Sequence, residues 1–222
     1  QWSDGRTGKS IWVKETGEYG LTVTSHTGCT ATGTPAKIKM LPTTRIVQHP
    51  ADTAVCADAS LQFAGNATGD EVTFQWQFNG NDLSDDGAYT GTQTDQLSIG
   101  AATVPGVFRL IANGTCGADT SMEATLTVWA LPSKPVITPD GPTTFCEGDA
   151  VTLASSATNG NTWSTGANGQ DITVSTAGTY TVSVTDNNGC TSPVSDAVTV
   201  TVNPVPDKPA ITAGGDLDFC EG

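Results

Sequence analysis

Short runs in which apolar and hydroxyl-bearing residues alternate mark this chain from one end to the other. Ile172-Thr-Val174, Tyr180-Thr-Val182-Ser-Val184, Val198-Thr-Val200-Thr-Val202 and Phe74-Gln-Trp76-Gln-Phe78 all have period two. Successive side chains of a strand point to opposite faces, so each run offers one face to a core and its Thr, Ser or Gln face to water. Asn113-Gly114 and Asn188-Gly189 suit tight hairpin turns, where positive φ is needed. The pattern predicts short strands separated by turns, and thus an all-β protein.

The pattern also repeats. "WSDGRTGKSIWVKETGEYGLTVTSHTGCT" (2–30) aligns without a gap to "WSTGANGQDITVSTAGTYTVSVTDNNGCT" (163–191), at the constant offset that separates Trp2 from Trp163. "KPVITPDGPTTFCEG" (134–148) recurs as "KPAITAGGDLDFCEG" (208–222). Between the copies, residues 43–133 form a longer relative with Cys56, Trp76, "QLSI", Gly106-Val107-Phe108 in place of Gly-x-Tyr, and Cys116. Such internal repetition is the mark of an array. It predicts the C-terminal part of one repeat (1–42), two whole domains (43–133 and 134–207) and an N-terminal stub of the next (208–222), as in a window cut from a longer chain. An early Cys, a Trp about 20 residues later and a late Tyr or Phe describe an immunoglobulin-like sandwich. Prolines in "MLPTT", "LPSKP" and "NPVPDKP" mark short, stiff linkers, so the expected architecture is an extended tandem of β-sandwiches.

Six cysteines, none in a C-x-x-C pair, with two distant histidines (His26, His49), argue for disulfides in an oxidising compartment rather than zinc. Cys56 and Cys146 precede one strand run of their domains, while Cys116 and Cys190 follow another near its hairpin. The expected bridges are Cys56–Cys116 and Cys146–Cys190, each stapling one end of a sandwich and contributing on the order of 4 kcal/mol by loop closure. Cys29 and Cys220 are then unpaired within this stretch, with partners in the missing parts of flanking repeats. The formal net charge of −14 disfavours nucleic acid and anionic lipid as partners. No apolar run approaches the roughly 18 residues of a membrane span, and the first residues lack the character of a signal peptide.

The motif "FCEGDAVTL…W.TG…I.V..AGTYTV.VTD.NGC" resembles the Ig-like repeats of very large surface proteins of gliding and polymer-degrading Bacteroidota. The segment from Cys56 through "FQWQFNG" and "YTGTQTDQLSI" to "NGTCG" resembles the companion module of the same proteins. The resemblance covers nearly the whole chain. It implies export by the type IX secretion system and extracellular display on the outer membrane as an adhesin, including those of gliding motility. The implied partners are neighbouring Ig-like repeats of the same chain, surface glycans or other cell-surface proteins, and the export machinery. It also draws attention to Asp52-Thr53-Ala54, which matches the O-glycosylation motif of that group and makes Thr53 a candidate modified residue.

Trp2, Trp76 and Trp163 are expected in cores, and Trp129 in packing near the 131–135 linker. Trp12, between Ile11 and Val13, is expected to point outward and is the candidate ligand contact. Asp82-Leu-Ser84-Asp-Asp86-Gly87 matches the first half of a calcium loop, but its twelfth position is Gln93 rather than a bidentate Glu. It reads as an ordinary acidic loop, with no metal or cofactor assigned. Neither histidine has an evident nucleophile beside it, so a non-enzymatic segment is expected. The alternatives are a carbohydrate-binding or spacer module of an exported polysaccharide hydrolase, and a filament subunit completed by neighbouring chains.

Overall fold

The structure, a computed structural model, describes residues 1–212 and 214–215. It divides into two compact units, Gln1–Val128 and Trp129–Gly222. Among the described residues every regular element is a β-strand. The first unit opens with β1 (Gly17–Tyr19), β2 (Thr22–Thr24), β3 (Thr30–Thr32) and β4 (Ala36–Ile38). These fold back on themselves, β1 pairing antiparallel with β4 and β2 with β3.

A sandwich follows in the same unit. Its strands are β5 (Arg45–Gln48), β6 (Thr53–Cys56), β7 (Leu61–Ala64), β8 (Asn66–Thr68), β9 (Thr73–Phe78), β10 (Asn81–Asp82), β11 (Tyr89–Thr90), β12 (Gln96–Ile99), β13 (Gly106–Gly114), β14 (Gly117–Thr120) and β15 (Ala124–Trp129). One sheet has the order β10-β9-β13-β15-β6, the other β11-β12-β7. The alternation in Phe74–Phe78 places Trp76 inward, opposite Leu110 of β13, and both are wholly buried. Phe63 closes over them from the facing sheet, its ring 4.9 Å from Phe108 and 6.3 Å from Trp76. At Gly106 a Cβ would lie 2.2 Å from the Phe78 ring, so this crossing of backbone and aromatic ring admits only glycine.

The second unit contains β16 (Ile137–Pro139), β17 (Thr144–Cys146), β18 (Val151–Ser155), β19 (Asn161–Trp163), β20 (Asp171–Val174), β21 (Gly178–Tyr180), β22 (Val182–Val184) and β23 (Val198–Asn203). β16-β18-β20 form one layer; β17-β23-β21 and β19-β22 form the other. Val151, Leu153, Trp163, Ile172, Val174, Tyr180, Val182 and Val200 make the core, as their period-two spacing requires. The opposite faces carry hydroxyls that meet in pairs: Thr185 and Thr191 lie 3.0 Å apart, as do Thr22 and Thr32 in the first unit.

The repeat in sequence recurs as a repeat in hydrogen bonds. Trp2 Nε1 donates to the Gly8 carbonyl and Trp163 Nε1 to that of Gly169. The Tyr19 hydroxyl donates to the Glu15 carbonyl, and the Tyr180 hydroxyl to that of Thr176. The amides of Ser25 and Asp186 donate to the carbonyls of Cys29 and Cys190. The two stretches build the same local structure because the same side chains lock the same turns. Truncating Trp163 to Ala removes the largest buried side chain of the second unit and is expected to cost about 3–5 kcal/mol, read by urea unfolding. Trp12→Ala, at a position 91% exposed, is expected to change stability by less than about 0.5 kcal/mol.

Candidate functional site

The tryptophans divide by environment. Trp76 and Trp163 are core residues whose indole N–H groups donate to main-chain carbonyls of Thr94 and Gly169. They present no face to a ligand. Trp129 is half-buried at the end of β15. Trp12 is different: its side chain is almost fully in water, in a segment without regular structure, and its carbonyl accepts from the Arg6 guanidinium at 2.6 Å. Its exposure therefore comes from the loop path rather than from strand alternation.

The acidic loop 82–87 is held by its own main chain. Asp85 accepts from the amide and hydroxyl of Thr92 and from the Gly91 amide, at 2.9, 2.7 and 3.3 Å. The Thr92 hydroxyl, followed by the Thr92 and Gly91 amides, holds its carboxyl below the usual carboxylate range. Asp86 accepts from the amides of Ala88 and Tyr89, and Asp82 from the Gln77 side chain. These carboxylates tie down a turn. Thr53 is half-buried at the start of β6 and donates to the Ala51 carbonyl, while Asp52 accepts from the Thr125 amide.

Three buried serines, which the alternation gave no reason to single out, are spent on strand irregularities. Ser121 Oγ accepts from the Leu110 amide and donates to the Met122 carbonyl. Ser195 does the same between Val182 and Asp196, and Ser192 between Val184 and Pro193. In each case a side chain takes the place of a missing ladder bond, and a hydroxyl engaged on both sides is a poor nucleophile. His49 Nδ1 accepts from the Met122 amide, so it too serves the main chain.

The cysteines depart from the expected pairing. Cys56 and Cys190 each take part in a disulfide, while Cys29, Cys116 and Cys146 are free thiols. Neither the Cys56–Cys116 nor the Cys146–Cys190 bridge is formed; Cys220 lies outside the described residues. The reason is strand direction. In the second unit β17 runs parallel to β23, with Cys146 opposite Asn203 at the end where the chain leaves the sandwich. Cys190 sits on the hairpin just before Thr191, and that hairpin joins the other end: the Thr185 amide donates to Gly160, and the Ser156 amide to Val136 near the point of entry. At about 3.3 Å per residue, the run from Thr191 to Asn203 separates the two by roughly 30 Å or more. A disulfide needs Cα atoms within about 7 Å. The first sandwich has the same plan. Asp52 meets Thr125, so β6 runs beside β15 and carries Cys56 toward the exit at Val128. Cys116 caps the β13–β14 hairpin, where Thr115 donates to Asp70 at the entry.

No family model and no curated protein sequence matches the chain. Solved structures do. An I-band fragment of titin aligns with a TM-score of 0.50 at 14% identity, covering 85% of this chain and 75% of that one. A glutamate-to-alanine variant of the same titin domains gives the same values. Tandem Ig repeats of Dlar align at 21% identity over 73% of this chain and 98% of that one, with a TM-score of 0.36. The fold is a tandem of immunoglobulin-like β-sandwiches. At these identities the titin likeness speaks to the Ig-like fold, and function rests on the chain's own residues.

Because the folded pKa of Asp85 is depressed, its contribution to stability is present above the unfolded carboxylate value near 3.9 and is lost as pH falls through the lower folded value. Asp85→Asn is therefore expected to lower the melting temperature at pH 7 and to flatten its decline below about pH 5, a comparison made by thermal melts across that range.

Proposed function

We propose that this chain is a non-enzymatic, load-bearing segment of a long exported adhesin, projecting ligand-binding parts from a cell surface. The observation that supports it most directly is the parallel pairing of β17 with β23, in the register Thr144↔Thr201, Phe145↔Val202, Cys146↔Asn203. The chain enters near the first of these strands and leaves by the second. Tension between entry and exit pulls two parallel neighbours in opposite directions along their axes, so their hydrogen bonds are loaded together in shear. The Thr201 amide donates to Thr143 and the Glu147 amide to Asn203, extending the clamp beyond the paired residues at both ends.

The finer reading adds the division 1–42, 43–133, 134–207 and 208–222 into repeats, and display on the outer membrane of a member of the Bacteroidota after type IX export. Its support is the internal repetition, the acidic and Lys-poor composition, and disulfides, which persist in oxidising compartments. Partners in this reading are further repeats of the same chain, with glycans or surface proteins at distal sites.

Pulling single molecules tests it. Thr201→Pro deletes one clamp donor and is expected to lower the unfolding force of the second sandwich while leaving the first unchanged. An unchanged force for the second sandwich, with the variant folded by circular dichroism, sinks the load-bearing reading. The exposed Trp12 supports the carbohydrate-module alternative instead. Glycan-array binding by the wild type that disappears in Trp12→Ala is the result expected of that alternative, and absence of binding is expected of the stalk.

A further inference from the structure

Of the five Asn-Gly pairs in the chain, four are held by the fold and one is not. Ring closure to a succinimide needs an Asn side chain free to swing over the following amide nitrogen, and a glycine there leaves the approach open. Asn79 is pinned, its Oδ1 accepting from the Val107 amide at 2.9 Å. Asn113-Gly114 lies within β13, with Asn113 in register with both β9 and β14. The Gly189 amide donates to the Asp186 carbonyl, and Gly160 is pressed against Thr185, whose carbonyl a Cβ there would meet at 2.3 Å. Asn168 is exposed, in the irregular loop between β19 and β20. Among the described residues neither its side chain nor the Gly169 amide has a hydrogen-bond partner.

The place of this free pair gives it a consequence. Trp163 is held from the loop by two carbonyls: that of Ala167 accepts its main-chain amide and that of Gly169 its indole N–H, both at 2.9 Å. Asn168 is the residue between those acceptors. The stretch 2–30 carries the same clip, Trp2 donating to the carbonyls of Arg6 and Gly8 at 2.8 and 3.1 Å, but its middle residue is Thr7. Threonine has no carboxamide and cannot form the ring.

We propose that Asn168 is a self-modifying residue, which converts to isoaspartate without an enzyme and loosens the clip on Trp163. The Gly169 amide nitrogen gives up its proton and attacks the Asn168 Cγ; the bond from Cγ to its own nitrogen breaks, and ammonia leaves with that proton. Water then opens the succinimide. Where it adds to the carbonyl next to Cα, the main chain runs on through Cβ and Cγ, and the freed carboxylate becomes the side chain. Asparagine and water thus give isoaspartate and ammonia, with no oxidant or reductant. One extra carbon enters the main chain between the two acceptors, together with one negative charge. The spacing of the carbonyls changes, and with it the hold on a side chain at the centre of the second core. The second sandwich thereby carries a timer: its protection declines with the age of the molecule.

The inference does not depend on the load-bearing role. The full chain is aged at mildly alkaline pH, and its peptides are mapped by mass spectrometry that separates isoaspartyl from aspartyl forms. Hydrogen exchange is followed in the peptide carrying Trp163, where it reads local opening. Isoaspartate is expected at Asn168 before Asn79, Asn113, Asn159 or Asn188, and the Trp163 peptide is expected to exchange faster in the aged chain than in the fresh one. Asn168→Thr, which copies the residue at Thr7, is expected to keep its protection on ageing. Fresh Asn168→Asp has the charge without the extra carbon and is expected to exchange like the fresh wild type. Earlier conversion at any of the other four asparagines overturns the inference, as does a chain converted at Asn168 that exchanges like fresh protein. An equal loss in aged Asn168→Thr, or faster exchange in fresh Asn168→Asp, overturns it as well.

Discussion

The second sandwich is organised around one buried indole. Trp163 occupies the space between its sheets, and the N–H that would be costly to strand there is given to the Gly169 carbonyl. That bond ties the strand bearing the tryptophan to the turn that follows, while Val182 pairs with it from the neighbouring strand. Around this contact a handful of aliphatic residues suffices for a core. The first sandwich solves the same problem with Trp76, Leu110 and a cluster of phenylalanines. In a small domain the loss of one such residue removes a large part of the buried surface.

Much of this was legible in the chain. Strict alternation gave the faces of Ile172-Thr-Val174 and Val198-Thr-Val200-Thr-Val202, and the more buried positions are those the period-two rule selects. The repeated tryptophans and tyrosines anticipated the repeated hydrogen bonds, because a side chain that must satisfy one polar atom fixes the turn beside it. Trp12 was read as exposed, and it is, though for a reason of loop path rather than strand pleat. The serine-filled gaps at Ser121, Ser192 and Ser195 left no such signature: a buried hydroxyl that replaces a ladder bond looks in sequence like any other serine of a wet face.

The cysteine pairing shows where a linear reading stops. Cys146 and Cys190 flank strands of one sandwich, and their separation along the chain suits a loop-closing bridge. What the spacing does not contain is the direction of the strands in between. Because β17 and β23 run the same way, residues at the start and end of the last strand belong to opposite ends of the domain. Sequence distance measured the loop that a bridge would close, and topology ruled out the bridge.

The paired threonine hydroxyls on the outer faces have a consequence of their own. The chain has nine Lys and Arg residues, and some of its strands are joined on their wet sides by hydroxyl contacts such as Thr22 with Thr32 and Thr185 with Thr191. Ion pairs between exposed groups weaken as salt screens them, whereas contacts between neutral hydroxyls do not. A face of this kind stays hydrated while its hydroxyl cross-strand contacts are indifferent to ionic strength. Those hydroxyl contacts keep their strength from fresh water to brine.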